Sequence, residues 1–523
     1  MNKFRFLLFI TLPLMSLSLS SCLYTSVEVE TMEKTEIALT YKDYTDNNYY
    51  SISSCPLEGS PKILVLPVWF TDSSRYITSD TAKQQVISDL DKAFFGDSGD
   101  GVWESVSSYF EKESLGALTL QGSVADWYEC GYSSSTIGSN GLFATSNTNT
   151  IVEWAVDNFF DTNPSESRSD YDLDGDGYLD AVIVVYGAPD YSALGSSSLS
   201  NLWAYTYWIQ DSANTSNPVP NVYLWASYDF MYEASTAYSK VGSRYGSGDN
   251  GDYSIDTHTY IHEMGHVFGL EDYYDYGGNY SPAGAFSMQD YNVGGHDPYS
   301  LLAMGWADPY VVSDSVTLEI SDFQSSHDLI LLTPDWNDSN SAFDEYLLLE
   351  LYTPSGLNEA DCKDQYLGNY PKGPKSVGIR LWHVDARLTY IITQGRQAYV
   401  SLNLINDPTE GDVYMAMSNT YYDSSDSTTS NYISILGEDY SDYNLLQLIR
   451  NSRSKTYHPT DILSSDDLFY AGDSFSLSNY SGQFVNGSQG KLNGGESFGL
   501  SFTVNSIDTD SDGTAKAVIT IKA

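Results

Sequence analysis

The residues most able to do chemistry lie between Asp256 and Asp272, which read D-T-H-T-Y-I-H-E-M-G-H-V-F-G-L-E-D. Read as a helix from Ile255 to Phe268, this stretch places His262 and His266 four residues apart on one face, the spacing that lets two imidazoles bind one zinc ion. Glu263 then stands beside the metal without being a ligand, a carboxylate positioned to take a proton from a water. Gly269 can stop the helix in a left-handed turn, after which the chain doubles back and offers Asp272 as a third ligand. A carboxylate suits that role, since Asp oxygens bind zinc at about 2.0–2.2 Å. No Glu occurs between Glu271 and Glu319, so a nearby downstream Glu is lacking and Asp272 gains weight. Ile261, Met264 and Phe268 form the buried stripe behind the site. His258, one turn earlier, is expected to be exposed and is left out. The plainer alternative is an amphipathic helix with two surface histidines.

Further residues surround this centre. Met288, in Ala285-Phe286-Ser287-Met288-Gln289-Asp290-Tyr291, fits the Met-turn that lies under the metal in metzincins, although a Met alone is often core filler. Tyr291 and His296 are the candidates for stabilising an oxyanion. Upstream, Asp172, Asp174, Asp176 and Asp180 alternate around Gly175 and Gly177 before an apolar run from Ala181 to Tyr186. Carboxylates aimed at one point need a hard cation, so the loop is predicted to bind structural Ca²⁺ and pin a strand. It is not a complete EF-hand, because Ile183 stands where the last Glu would be. A solvated Asp-Gly turn is the alternative.

Ser105-Val106-Ser107-Ser108-Tyr109-Phe110, Leu115 to Leu120, the Asp172 to Asp180 loop, H-E-M-G-H-V-F-G-L-E-D-Y-Y-D and Met304-Gly305-Trp306 together resemble the immune inhibitor A-like family of bacterial secreted zinc metalloproteases. The resemblance covers about residues 61 to 310. It implies an exported zinc endopeptidase with structural calcium, zinc on His262 and His266, and the catalytic role on Glu263. Asp272 matches the family's motif as well.

The elements that must hold these residues follow from pattern. Lys62 to Phe70 reads as a central strand, Val86 to Phe94, Val102 to Glu113 and Ile151 to Phe159 as helices, and Leu115 to Leu120 as a strand. From about 311 the pattern changes to strands divided by Asp, Asn, Ser and Gly turns: Val316 to Ile320, Leu329 to Leu332, Tyr346 to Tyr352, Val377 to Trp382, Phe498 to Val504 and Ala515 to Ile521. Tyr421 to Ser430 reads as low-complexity loop. The fold class is α+β: a zincin-like metalloprotease domain over residues 61–310, followed by a β-rich C-terminal region over 311–523, expected to form one or two β-sandwich-like domains.

Composition limits the partners. Lys+Arg 24 against Asp+Glu 70 gives a formal net charge of −46 in 523 residues, which repels nucleic acid and anionic lipid headgroups. Residues 1–22 read as a targeting segment: Lys3 and Arg5, an apolar run from Phe6 to Leu14, then Leu19-Ser20-Ser21-Cys22, which looks like a bacterial lipobox. The expectation is lipidation of Cys22 and a monomer at a bacterial cell surface, touching the membrane only through that anchor; a cleaved secretory signal is the alternative. Residues 23–60 are polar and read as a tether or short pro-segment. Of Cys55, Cys130 and Cys362, the first two are the disulfide to test, and Cys55 is also a candidate latency ligand for zinc. Protein or peptide substrates are expected. The rival function is a non-catalytic surface adhesin or glycan-binding lipoprotein with a protease-like domain.

Overall fold

The structure, a computed structural model, describes residues 28–38, 55–101, 103–141, 145–209, 212–232, 255–276, 281–363, 373–394, 397–405, 413–415, 419, 443–453, 462–511 and 513–523. Cys22 and the Tyr421 to Ser430 stretch lie outside the described residues. Among the described residues, no helix is long and apolar enough to cross a membrane.

The first sheet contains β1 (Lys62–Trp69), β2 (Gln121–Val124), β3 (Tyr128–Glu129), β4 (Val182–Tyr186), β5 (Tyr205–Trp208) and β6 (Val222–Ser227). Its order is β2-β1-β4-β6-β5, with β3 also on β1; all pairs are parallel except β5 on β6. Continuous apolar runs such as Val182-Ile-Val-Val-Tyr186 form central strands because both faces are buried. Ile183 and Val185 join one core, while Val182, Val184 and Tyr186 join another on the opposite face. Helices α1 (Asp80–Phe95) and α2 (Val106–Glu113) put Val86, Leu90, Tyr109 and Phe110 into the first of these cores. Ser134–Gly138 forms the short α3, and α4 (Thr145–Thr162) supplies Ile151, Val152 and Val156 to the second core. The zinc-motif helix, α5 (His258–Val267), lies on the first-core side with Tyr260, Ile261, Met264, Val267 and Phe268 buried.

After α6 (Pro298–Ala303), capped by the Asp297 side chain, come β7 (Tyr310–Val312), β8 (Val316–Ser321), β9 (Leu329–Leu332), β10 (Glu345–Tyr352) and β11 (Gly378–Asp385). These are followed by β12 (Leu388–Gln394), β13 (Gln397–Ile405), β14 (Val413–Met415), β15 (Leu446–Ile449), β16 (Ser474–Ser476), β17 (Ser501–Thr509) and β18 (Ala515–Lys522). Two sheets, β15-β11-β10-β9-β7 and β16-β17-β18-β8, pack face to face over Leu347, Leu349, Ile379, Leu381, Phe502, Val504 and Ile519. The opposite face of the five-stranded sheet carries Tyr346, Leu348, Tyr352, Trp382 and Leu448 into the same core as the zinc-motif helix. The sequence pattern changes near residue 310, but this core continues across it.

Several sequence expectations shift. The zinc-motif helix starts at His258 rather than Ile255 because Asp256 Oδ1 accepts from the His258 N–H just ahead of it. Leu115 to Leu120 is not a strand; Leu115 and Gly116 adopt positive φ (50° and 86°), and the strand forms at Gln121. Residues 28–38 do not hang free as a tether. They dock on the β-rich part through Glu30 N–H to Thr317 O (2.8 Å), Thr35 N–H to Pro309 O (2.8 Å) and a Lys34–Asp328 ion pair (2.9 Å). Cys55, Cys130 and Cys362 are unbridged and buried. Cys55 and Cys130 lie in cores on opposite faces of the first sheet, so they cannot pair, and Cys55 sits in apolar packing rather than among the metal-ligating side chains. Asp508 and Thr509 belong to β17 and pair with Lys516 and Ala515 of β18.

Candidate active site

Two turns of helix and one loop bring three ligand atoms to one point. His262 Nε2 lies 3.2 Å from His266 Nε2, and Asp272 Oδ1 lies 3.0 Å from the first and 3.2 Å from the second. Gly269, at φ 101°, makes the turn that returns Asp272 to the helix. Each imidazole is fixed from behind: His262 Nδ1 is 2.8 Å from Met288 O, and His266 Nδ1 is 2.7 Å from Leu270 O. A carbonyl can only accept, so both Nδ1 atoms carry protons, and in the neutral rings both Nε2 atoms present lone pairs to Asp272. Asp272 Oδ1 is buried and has no hydrogen-bond partner. A single proton could satisfy only part of this cluster. One cation at its centre satisfies all of it, and ligand atoms of a tetrahedral site with bonds near 2.0–2.1 Å stand about 3.3 Å apart.

Without a cation at its centre, the cluster instead draws a proton onto the His266 imidazole. Burial opposes charge on His266, but the facing Asp272 carboxylate outweighs it and pushes the imidazole up to about 10. Asp272, against its burial, is held well below the usual carboxylate range by the two imidazoles. Tyr276 Oη donates to the outer oxygen, Asp272 Oδ2, at 2.6 Å. Such outer contacts orient a ligand carboxylate and raise metal affinity. Tyr276→Phe is therefore expected to weaken metal binding by roughly 10–100-fold, measured by competition with a chromophoric chelator, with the thermal midpoint of the metal-free protein unchanged.

Glu263 is 5% exposed, and burial pushes its carboxyl above the usual range while the two histidines pull it back. Thr206, on edge strand β5, donates to the Glu263 carbonyl at 2.9 Å and has its Oγ1 3.5 Å from Oε2. Gly265 is required here, because a Cβ at that position would meet Gln289 Oε1 at 2.3 Å. The Met288 turn thus serves the site through a backbone oxygen, with its side chain fully buried.

The two oxyanion candidates part company. His296 is 1% exposed and faces Tyr109 Oη (2.9 Å), Glu113 (3.4 Å) and Gln289 (3.3 Å), so it braces α2 against the loop and cannot reach a substrate. Tyr291 is 46% exposed and stacks on Tyr274, whose ring lies over His262. His258 is not exposed as expected: its Nε2 meets Asn292 O at 3.1 Å, and burial, with His262 nearby, lowers it to about 3.

In the acidic loop, Asp172, Asp174 and Asp176 each direct a carboxylate oxygen to within 4.8 Å of the others. Asp180 is not in that cluster. It is fully buried, accepts from Leu173 N–H at 2.9 Å, and is pushed up to about 7 by burial, with Asp174 and Asp172 adding to the shift. It holds the loop's shape from within. Thr206, Tyr274 and Tyr276 escaped the sequence reading, because no spacing rule connects them to the histidines.

Residues 60–294 match the family described as immune inhibitor A peptidase M6, catalytic domain. The chain carries an M6 peptidase domain. That family makes it a metallopeptidase, and the matched residues include His262, Glu263, His266 and Asp272. No curated protein matches the chain.

Proposed function

We propose that this M6 metallopeptidase is an exported, lipid-anchored zinc endopeptidase that cleaves extracellular proteins, with His262, His266 and Asp272 holding the metal and Glu263 as the proton carrier. The observation that supports it most is the orphaned Asp272 Oδ1 facing two histidine Nε2 atoms. A bound zinc ion supplies Lewis acidity that polarises the scissile carbonyl and acidifies water. Glu263, one residue from His262 and with its carboxyl raised by burial, takes the proton from the attacking water and returns it to the leaving amine. β5 is an edge strand and touches Glu263 through Thr206, so we take its open side as the place where an extended substrate peptide would pair. Calcium at Asp172, Asp174 and Asp176 would pin the loop entering β4. Export and anchoring rest on the sequence of residues 1–22, with Cys22 as the lipidated residue.

The test is casein cleavage by protein lacking residues 1–22. Dialysis against a strong chelator is expected to abolish cleavage, and stoichiometric zinc to restore it. Cleavage that persists in metal-free protein would defeat the reading and favour a different hydrolytic centre.

A further inference from the structure

Tyr274, Tyr291 and Tyr276 form a continuous aromatic ledge at the rim of the ligand cluster. The Tyr274 ring lies 6.3 Å from His262 at an interplanar angle of 23°. Tyr291 packs on it at 5.0 Å and 32°, and Tyr276 meets it edge-on at 5.4 Å and 78°. Tyr291 and Tyr276 are 46% and 56% exposed, whereas most tyrosines near the site, such as Tyr260, Tyr273 and Tyr299, are fully buried. The bond from Tyr276 to Asp272 accounts for one hydroxyl. It does not account for the exposed ring faces.

Resting on the peptidase reading above, we propose that this ledge is the subsite for a large apolar or aromatic side chain adjacent to the scissile bond, with Tyr291 as the specificity-determining residue. Proximity supports it. A peptide whose carbonyl reaches the ligand atoms extends by roughly 3.3–3.6 Å per residue, so a side chain one or two residues away reaches a ring 6.3 Å from His262. The chemistry of the ledge favours an apolar occupant over a basic one. Asp275 and Asp290 are each 2% exposed and Asp272 is engaged by the imidazoles, so what the ledge presents is ring face; Glu271 is the exposed carboxylate beside it. Offset stacking on Tyr291 would hold an aromatic side chain and leave Ala with nothing to cover the rings.

The experiment uses fluorogenic peptides that differ only in Phe, Leu, Ala or Lys at the residues flanking the cleaved bond. Wild type is compared with Tyr291→Ala and Tyr291→Phe, and zinc content and thermal midpoint are recorded for each. At one of the two positions, kcat/KM for Phe is expected to exceed that for Ala by about tenfold or more, with the ratio falling toward unity in Tyr291→Ala and surviving in Tyr291→Phe. A wild-type preference for Lys, a ratio untouched by Tyr291→Ala, or casein cleavage with no side-chain preference at either position would each overturn the ledge while leaving the peptidase reading intact. A wild type that binds zinc yet cleaves neither casein nor any peptide overturns the peptidase reading, and the ledge falls with it.

Discussion

Glu263→Gln is expected to lower kcat by about 10²–10⁴-fold while zinc content stays at the wild-type level. The carboxamide keeps the shape of the side chain and can still accept from Thr206, whose hydroxyl also binds the helix carbonyl. It cannot take up a proton. Because Glu263 is buried and its carboxyl is raised by that burial, the uncharged replacement removes an unfavourable charge, so stability should hold or rise slightly. None of the three ligand atoms or their backing carbonyls is touched. Steady-state kinetics beside elemental analysis separates the roles: a loss confined to kcat, with metal retained, assigns proton transfer to Glu263. Activity within a few-fold of wild type would move that role to another group.

The centre of the site was legible because helical periodicity and a glycine turn are local rules. His262, Glu263, His266 and Asp272 follow from spacing alone, and the strands of residues 316–352 from their apolar runs. What escaped depends on tertiary neighbours. Thr206 reaches Glu263 only because β5 pairs antiparallel with β6 at the sheet edge. His296 reads from sequence as an oxyanion candidate, and only packing shows Tyr109 and Glu113 enclosing it. Asp180 carried the same spelling as its neighbours, yet burial turned it inward. The β-rich half had no visible link to the chemistry. In the structure, Leu448 N–H bonds Pro282 O (2.9 Å), Leu463 N–H bonds Gly284 O (2.8 Å) and Asn419 Nδ2 bonds Tyr273 O (2.8 Å), so this half props the loops on either side of Met288 and Asp272.

That support has a vulnerable point, and Arg380→Ala is expected to destabilise the protein by roughly 3–5 kcal/mol, read by urea unfolding of the full chain. Arg380 and Glu350 stand directly opposite on β11 and β10, 3% and 0% exposed, with Nε 2.8 Å from Oε1. The guanidinium also lies over the rings of Tyr352 (4.7 Å) and Phe286 (5.2 Å), and Phe286 is two residues from the Met288 carbonyl that orients His262. Removing it leaves a buried carboxylate with only the Trp382 indole N–H at 2.8 Å and opens space beside Phe286. The sign of the pH dependence follows. Burial already raises Glu350 in the wild type and Arg380 lowers it, so without Arg380 the folded-state value rises further above the unfolded one. A carboxyl shifted upward favours the fold below its unfolded pKa and disfavours it as pH rises through the folded value, so the deficit should be larger at pH 8 than at pH 5. The pairing also separates this from a simple cavity effect: Glu350→Gln in the Arg380→Ala background removes the stranded charge and should recover part of the loss. A deficit independent of pH, with no recovery in the double variant, would mean that lost ring packing rather than the unpaired carboxylate sets the stability of this buttress.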